Sequence, residues 1–175
     1  LSSAEANDVK RTPALVVVSA LLAAALLFAG CGYQLRGALD LPDDVRTVHV
    51  AAPSQLRDEL LTLLASGGVA VSTSSAEADA RITVTSERFN RRVLSVDPTT
   101  GKEREFELAY TLVFGVTRSD GATMIEDGSV NLLRDYVFDP EAVIGTSREE
   151  DLLREEMRRD AARQLLRKVE AAFKR

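Results

Sequence analysis

From Phe106 to Val116 every second residue is apolar, through Leu108, Tyr110, Leu112 and Phe114, while Glu105, Glu107, Thr111 and Thr117 hold the other phase. A period of two sends alternate side chains to opposite faces of a strand, so the segment predicts a strand with one face on a core and the other toward water or a partner. Asp120-Gly121 predicts a hairpin turn after it. Val130, Leu132, Tyr136 and Phe138 resume the alternation, broken at Arg134. Upstream, Ala80 to Val96 carries Ile82 and Val84 on one face and predicts a partner strand, joined by the loop Asp97 to Lys102. Together the three make a long antiparallel meander.

Helical spacing governs the flanking segments. Ser54 is a candidate N-cap for a helix in which Leu56, Leu60, Leu63 and Leu64 share a face, and Gly67-Gly68 ends it. A short strand, Arg46 to Ala51, precedes this helix, so strand, helix and strand predict a right-handed parallel crossover. At the far end Ser147 and Glu150 read as a capping box, and Leu153, Met157, Ala161, Leu165, Val169 and Phe173 recur every fourth residue. That spacing drifts by about 40° per step, so the stripe winds as it would across a twisted sheet. The predicted class is α/β, an α+β sandwich: one mixed four-stranded sheet in the order β-α-β-β-β-α, with two helices on one face and a Thr- and Glu-rich face left free.

Ahead of this body, Lys10 and Arg11 precede an apolar run from Ala14 to Phe28 that ends at Ala29-Gly30-Cys31. A bilayer span takes about 20 apolar residues, whereas the apolar region of an export signal takes roughly 7–15. Residues 1–30 are therefore expected to be a cleaved signal peptide. Cys31, the single cysteine, follows two small residues and resembles the lipobox of bacterial lipoproteins. It is the expected lipidation site, as an N-palmitoyl, S-diacylglycerol cysteine. Stable anchoring takes two lipid signals, which this modification supplies. Residues 31–44 then read as a lipidated tether and 45–175 as a single domain. Gly32 in place of an Asp after the cysteine points, by the same resemblance, to the outer membrane.

The net charge of −5 argues against a nucleic-acid partner. His49 is the sole histidine, and no nucleophile, metal-ligand or cofactor motif accompanies it, so no catalytic residue, metal or cofactor is assigned. Arg88, Arg91 and Arg92 close one meander strand, and Lys102 and Arg104 follow the return loop. The hairpin brings both groups to one end of the sheet, either to grip phosphate or carboxylate or as a solvated hairpin end.

Cys31-Gly32-Tyr33-Gln34-Leu35-Arg36-Gly37 resembles the mature start of the LptE (RlpB) family of lipopolysaccharide-assembly lipoproteins. The likeness continues in order through Arg91 to Val96, Glu105 to Leu108, Arg134 to Asp139 and the helix holding Glu155, Glu156, Met157, Ala161, Ala162, Gln164 and Leu165. It implies a two-helix sheet fold and a non-enzymatic plug in a 1:1 complex with the LptD outer-membrane β-barrel. The implied work is to help that barrel assemble and to assist lipopolysaccharide transfer to the outer leaflet, from a lipid-anchored position on the periplasmic side of the outer membrane. It further implies lipopolysaccharide contacts at Lys102 and Arg104 in the first meander loop and at Arg148 as the cation nearest Thr146 ahead of the last helix; Arg91 and Arg92, of the same basic cluster, are expected to join them. A periplasmic lipid carrier or another envelope-structural lipoprotein is the competing reading. A carrier would need a concave apolar pocket, and the dense alternation from Phe106 to Val116 favours a filled core instead.

Overall fold

Apolar alternation builds the centre of the molecule: β4 (Glu103–Arg118) buries Phe106, Leu108, Tyr110, Leu112, Phe114 and Val116, each at most 2% exposed. The computed structural model describes residues 39–138 and 143–174, with side chains of the last helix described from Arg148. The signal segment and Cys31 lie outside the described residues. The strand β3 (Ala80–Val96) pairs antiparallel with β4, which pairs antiparallel with β5 (Thr123–Val137) across the Asp120-Gly121 turn, where Gly121 takes φ +89.

The other flank is parallel. β1 (Thr47–Ala51) pairs with β3 from Val48↔Ala80 to Ala51↔Thr83, putting Val48, Val50, Ala80 and Ile82 on the core face. After β1 comes α1 (Ser54–Ser66), which buries Leu56, Leu60 and Leu64. Ser54 is not its N-cap: it is the first helical residue, and Pro53, with no side-chain capping bond, stands at the cap. Proline's fixed φ, here −55, suits the entry into a helix, and the Pro53 carbonyl accepts the first helical bond from Arg57 N at 2.8 Å. The glycine stop forms as expected, with Gly67 N–H donating to Leu63 O at 3.0 Å and Gly68 at φ +80.

The sheet has five strands, not four. Ala70–Val71 forms β2, a parallel partner of β1 on its outer side, so the order is β2-β1-β3-β4-β5 and the crossover through α1 lands on β2. Two residues are too few to show a periodicity, which hides this strand from a reading of the sequence.

Last comes α2 (Val143–Phe173), whose Met157, Ala161, Ala162, Leu165, Leu166 and Val169 are buried with the α1 leucines and the inner face of the sheet. Ser147 lies inside this helix, which starts four residues earlier, so Ser147 and Glu150 form no capping box and Thr146 and Arg148 sit in its opening turns rather than ahead of it.

The first irregularity of β3 breaks the simple alternation. Val84 pairs with Phe114 but Ser86 pairs with Val113, so Thr85 is an extra residue, a bulge. The bulge shifts the phase of everything after it. Ile82 and Val84 face the helices before it; Glu87, Phe89, Arg91 and Val93, opposite Leu112, Tyr110, Leu108 and Phe106, face them after it.

Candidate functional site

The phase shift carries two charged residues of β3 to the helix side, where α2 meets them with Glu150, Arg154 and Arg158, one turn apart along the helix. Arg158 Nε lies 3.0 Å from Glu87 Oε1, and the Tyr110 hydroxyl donates to the same oxygen at 3.1 Å. Arg154 and Arg158 each place their guanidinium carbon 4.9 Å from the centroid of Phe89, whose ring lies 4.5 Å from that of Tyr110. One turn toward the start of α2, Glu150 accepts from Tyr136 Oη at 2.5 Å, from Arg154 at 2.6 Å and from Arg91 at 3.3 Å. Arg91 also lies 4.3 Å over the Phe106 ring. Along the described side chains of α2, a seam of ion pairs and aromatic rings runs from Glu150 to Arg158 and apolar packing from Met157 to Val169.

The electrostatics follow from this packing. Burial pushes the Tyr110 phenol well above its ordinary range, and the charge of Glu87 pushes the same way. Burial likewise raises Tyr136, helped by its bond to Glu150. Burial also works to raise Glu150, but the Tyr136 hydroxyl, Arg154 and Arg91 outweigh it and hold the carboxyl below its usual value. Arg91 is raised by its hydrogen-bonding neighbour Tyr136 and then by Glu150. Both tyrosines therefore stay protonated donors, and Glu150 stays a charged acceptor.

The basic residues singled out in the sequence share one end of the sheet lengthwise but divide between its faces. Arg91 points to the helix side and is paired with Glu150. Arg92 points to the open face, where its Nε meets Glu107 Oε1 at 2.6 Å. Arg104 is exposed, and the alternation of β4 places it on the face of Phe106; Lys102, in the turn, and Arg148, on α2, are exposed. Glu105 accepts from Ser95 Oγ at 2.8 Å on the open side. A shallow cleft of about 230 Å³ lies at this end, lined by Leu94, Glu105, Asp135, Tyr136 and Val137. A second of about 230 Å³, between the helices, is lined by Gln55, Asp58, Glu59, Glu155 and Arg158.

Periodicity missed Glu87 and Glu150 as seam residues, since Glu150 reads as a cap or a solvated charge. The available signal was its phase: Glu150, Arg154 and Arg158 continue the stripe of Met157, Ala161 and Leu165. His49 is structural, its Nδ1 3.0 Å from Ser72 O. Asp79 clamps the start of β1, its Oδ2 accepting from Thr47 Oγ1 at 2.8 Å, Thr47 N at 2.8 Å and Arg46 N at 2.9 Å. Those bonds hold its carboxyl below the usual range, the Thr47 hydroxyl contributing most. Among the described residues no three His, Cys, Asp or Glu side chains gather as a metal site would require, and no helix is long and apolar enough to cross a membrane.

Residues 45–169 match the family model for LptE, lipopolysaccharide-assembly. Over 150 residues, 83% of this chain and 80% of the relative, the sequence is 29% identical to the LPS-assembly lipoprotein LptE of Pectobacterium atrosepticum. The solution structure of lipoprotein B from Nitrosomonas europaea is similar with a TM-score of 0.66 at 26% identity, covering 80% of this chain and 91% of that one. The crystal structure of rare lipoprotein B from Shewanella oneidensis, with a TM-score of 0.63 at 24% identity over 71% of this chain and 94% of that one, shares the fold.

Proposed function

The chain belongs to the LptE lipopolysaccharide-assembly family, and we propose that it works as an outer-membrane lipoprotein that plugs the LptD β-barrel, helps it assemble and assists lipopolysaccharide transport to the outer leaflet. It is a lipopolysaccharide-assembly lipoprotein of the cell envelope and not an enzyme. The observation that carries the finer reading is the extent of the match, residues 45–169, which takes in all five strands and nearly all of both helices. A body whose inner face is filled suits a plug.

In this reading Cys31 carries the N-palmitoyl and S-diacylglycerol groups that hold the protein to the periplasmic side of the outer membrane after residues 1–30 are removed. Arg91, Arg92, Lys102, Arg104 and Arg148 are the proposed lipopolysaccharide contacts. Exposure ranks them, because a guanidinium already shared with a carboxylate must give up that partner before it can meet a phosphate. Arg104, Lys102 and Arg148 are the readier donors, and Arg91 is the costlier one.

An affinity-tagged full chain extracted in mild detergent tests the barrel partnership: a large outer-membrane barrel protein should co-purify in 1:1 ratio, and recovery of the lipoprotein alone would remove that part of the proposal. Intact mass of the same sample reads the amino terminus, where a triacylated Cys31 is expected and an unmodified one would refute the anchor. Charge reversal of Lys102, Arg104 and Arg148 together should weaken binding to purified lipopolysaccharide while leaving barrel recovery unchanged. Equal binding by parent and variant would reduce these residues to a solvated end.

A further inference from the structure

The two long edges of the sheet are finished differently. β5 is guarded by side chains that take up its carbonyls: Lys168 Nζ of α2 donates to Ser129 O at 2.7 Å, and Arg134 Nη1 donates to Leu133 O at 3.0 Å. Arg134 is itself tied to Asp160 of α2 at 2.9 Å. The opposite edge is left open. β1 pairs with β3 only as far as Ala51↔Thr83, so the rest of β3 has β4 on one side and, among the described residues, no strand on the other. Among the described residues no side chain donates to a carbonyl from Ser86 to Val96 either.

Bulges delimit a usable stretch of this edge. Pairing to β4 runs without a break from Ser86↔Val113 to Val93↔Phe106, between irregularities at Thr85 and Leu94. That is a straight run of about 25 Å at the usual strand rise. A long unpaired edge presents alternating N–H and C=O groups as a template for another strand, and proteins that do not use such an edge cover it or shorten it. Among the described residues it is neither covered nor short.

The charge along the edge selects the occupant. On the helix side Glu87 and Arg91 are already neutralised by Arg158 and Glu150. On the open face Arg88, Asn90 and Arg92 stand at alternate positions; Arg92 is shared with Glu107 at 2.6 Å, and Arg88 is exposed with no carboxylate paired to it among the described residues. A second copy is a poor partner, because antiparallel pairing centred on Asn90 sets Arg88 of each chain directly against Arg92 of the other, and like charges opposite one another destabilise a sheet. The apolar residues Val93, Leu94 and Val96, 42%, 43% and 54% exposed, close the run.

We infer that the β3 edge from Ser86 to Val93 accepts an extended, acidic segment of another protein as a sixth strand, main-chain bonds giving affinity and a carboxylate meeting Arg88, while Arg92 stays with Glu107. Arg91 and Arg92 of this stretch are also among the proposed lipopolysaccharide contacts, whereas Arg88 is not, so the test is placed on Arg88.

Hydrogen exchange on the full chain in a neutral detergent tests it, with an eight-residue peptide of alternating Val and Glu as probe and its Val–Lys counterpart as control. The Glu peptide should slow exchange across Ser86–Val93 and leave β5 unchanged, and the Lys peptide should do neither. Arg88→Glu should weaken binding of the Glu peptide about fivefold, the size of one exposed ion pair, with unchanged circular dichroism. If that variant does not fold, Arg88→Gln should show a smaller loss in the same direction. No protection at Ser86–Val93, equal protection by both peptides, or protection on β5 overturns the inference. Protection that grows with protein concentration in the absence of peptide assigns the edge to a second copy and overturns it as well.

Discussion

Glu87 and Arg158, which belong to the sheet and the last helix, share an ion pair at 3.0 Å that the Tyr110 hydroxyl completes from a third direction. The carboxylate sits in a place that the alternation of β3 would assign to an apolar residue, so the pair is a fastener between layers rather than a surface ornament. Removing one partner leaves the other charge desolvated against Phe89. Glu87→Ala is expected to cost about 2 kcal/mol in urea unfolding, while the paired change Glu87→Met with Arg158→Met recovers most of that loss. A double variant no more stable than the single one would show that the ion pair itself, not the desolvated remnant, sets the cost.

Acid should loosen the first third of α2 before the rest of the fold. Glu150 titrates lower in the folded protein than in the unfolded chain, so the folded state binds fewer protons over that interval. Its contribution is complete above the unfolded value, about 4.3, and is lost as pH falls through the lower folded value. The same sign holds for Asp79 at the start of β1. Thermal melting between pH 7 and pH 3 should show this decline, and Glu150→Gln should flatten it by starting from a lower plateau. An unchanged slope in Glu150→Gln would assign the acid sensitivity elsewhere.

Gly128 makes room for Phe114. A Cβ at position 128 would stand 2.6 Å from the Phe114 ring and 2.8 Å from the Ile125 side chain. Since Phe114 is fully buried, the ring has little freedom to yield. Gly128→Ala should therefore destabilise by about 1–3 kcal/mol, an overpacking cost read directly from the denaturant midpoint.

Two leucines of α2 should separate cleanly under the same substitution. Leu165 is fully buried and Leu152 is 60% exposed. Leu165→Ala is expected to cost about 2–5 kcal/mol. Leu152→Ala should stay within about 0.5 kcal/mol. Comparable losses at both sites would mean that the exposed leucine is covered in solution.

The strands of the meander were legible because their burial is one-sided: Phe106 to Val116 alternates without a fault, and both its turns carry their own chemistry in Asp97 to Lys102 and Asp120-Gly121. The direction of Arg91 was not legible. A single inserted residue, Thr85, reverses the phase of β3, and nothing in the side chain of a threonine announces a bulge. Arg91 and Arg92, consecutive in a strand, stand on opposite faces with or without the bulge; the bulge decides which is which, sending Arg91 to Glu150 on the helix side and Arg92 to Glu107 on the open face. Ser54 and Ser147 failed as caps for a related reason. A hydroxyl before an apolar run is a local signal, while the place where a helix begins is also set by Pro53 in one case and by the reach of α2 along the sheet in the other.

Both ends of the folded body come together, for Asp40 pairs with Lys174 at 2.9 Å, and Asp44 pairs with Arg118, whose guanidinium faces the Phe173 ring. β3 and β4 run from there to the Asp97–Lys102 turn, about 50 Å away at the usual strand rise. A pull applied through residue 39 while a partner grips that distant turn enters at the start of β1 and leaves along β3, so it would load the parallel rungs from Val48↔Ala80 to Ala51↔Thr83, which resist in concert as a lap joint does rather than opening one after another like a zip.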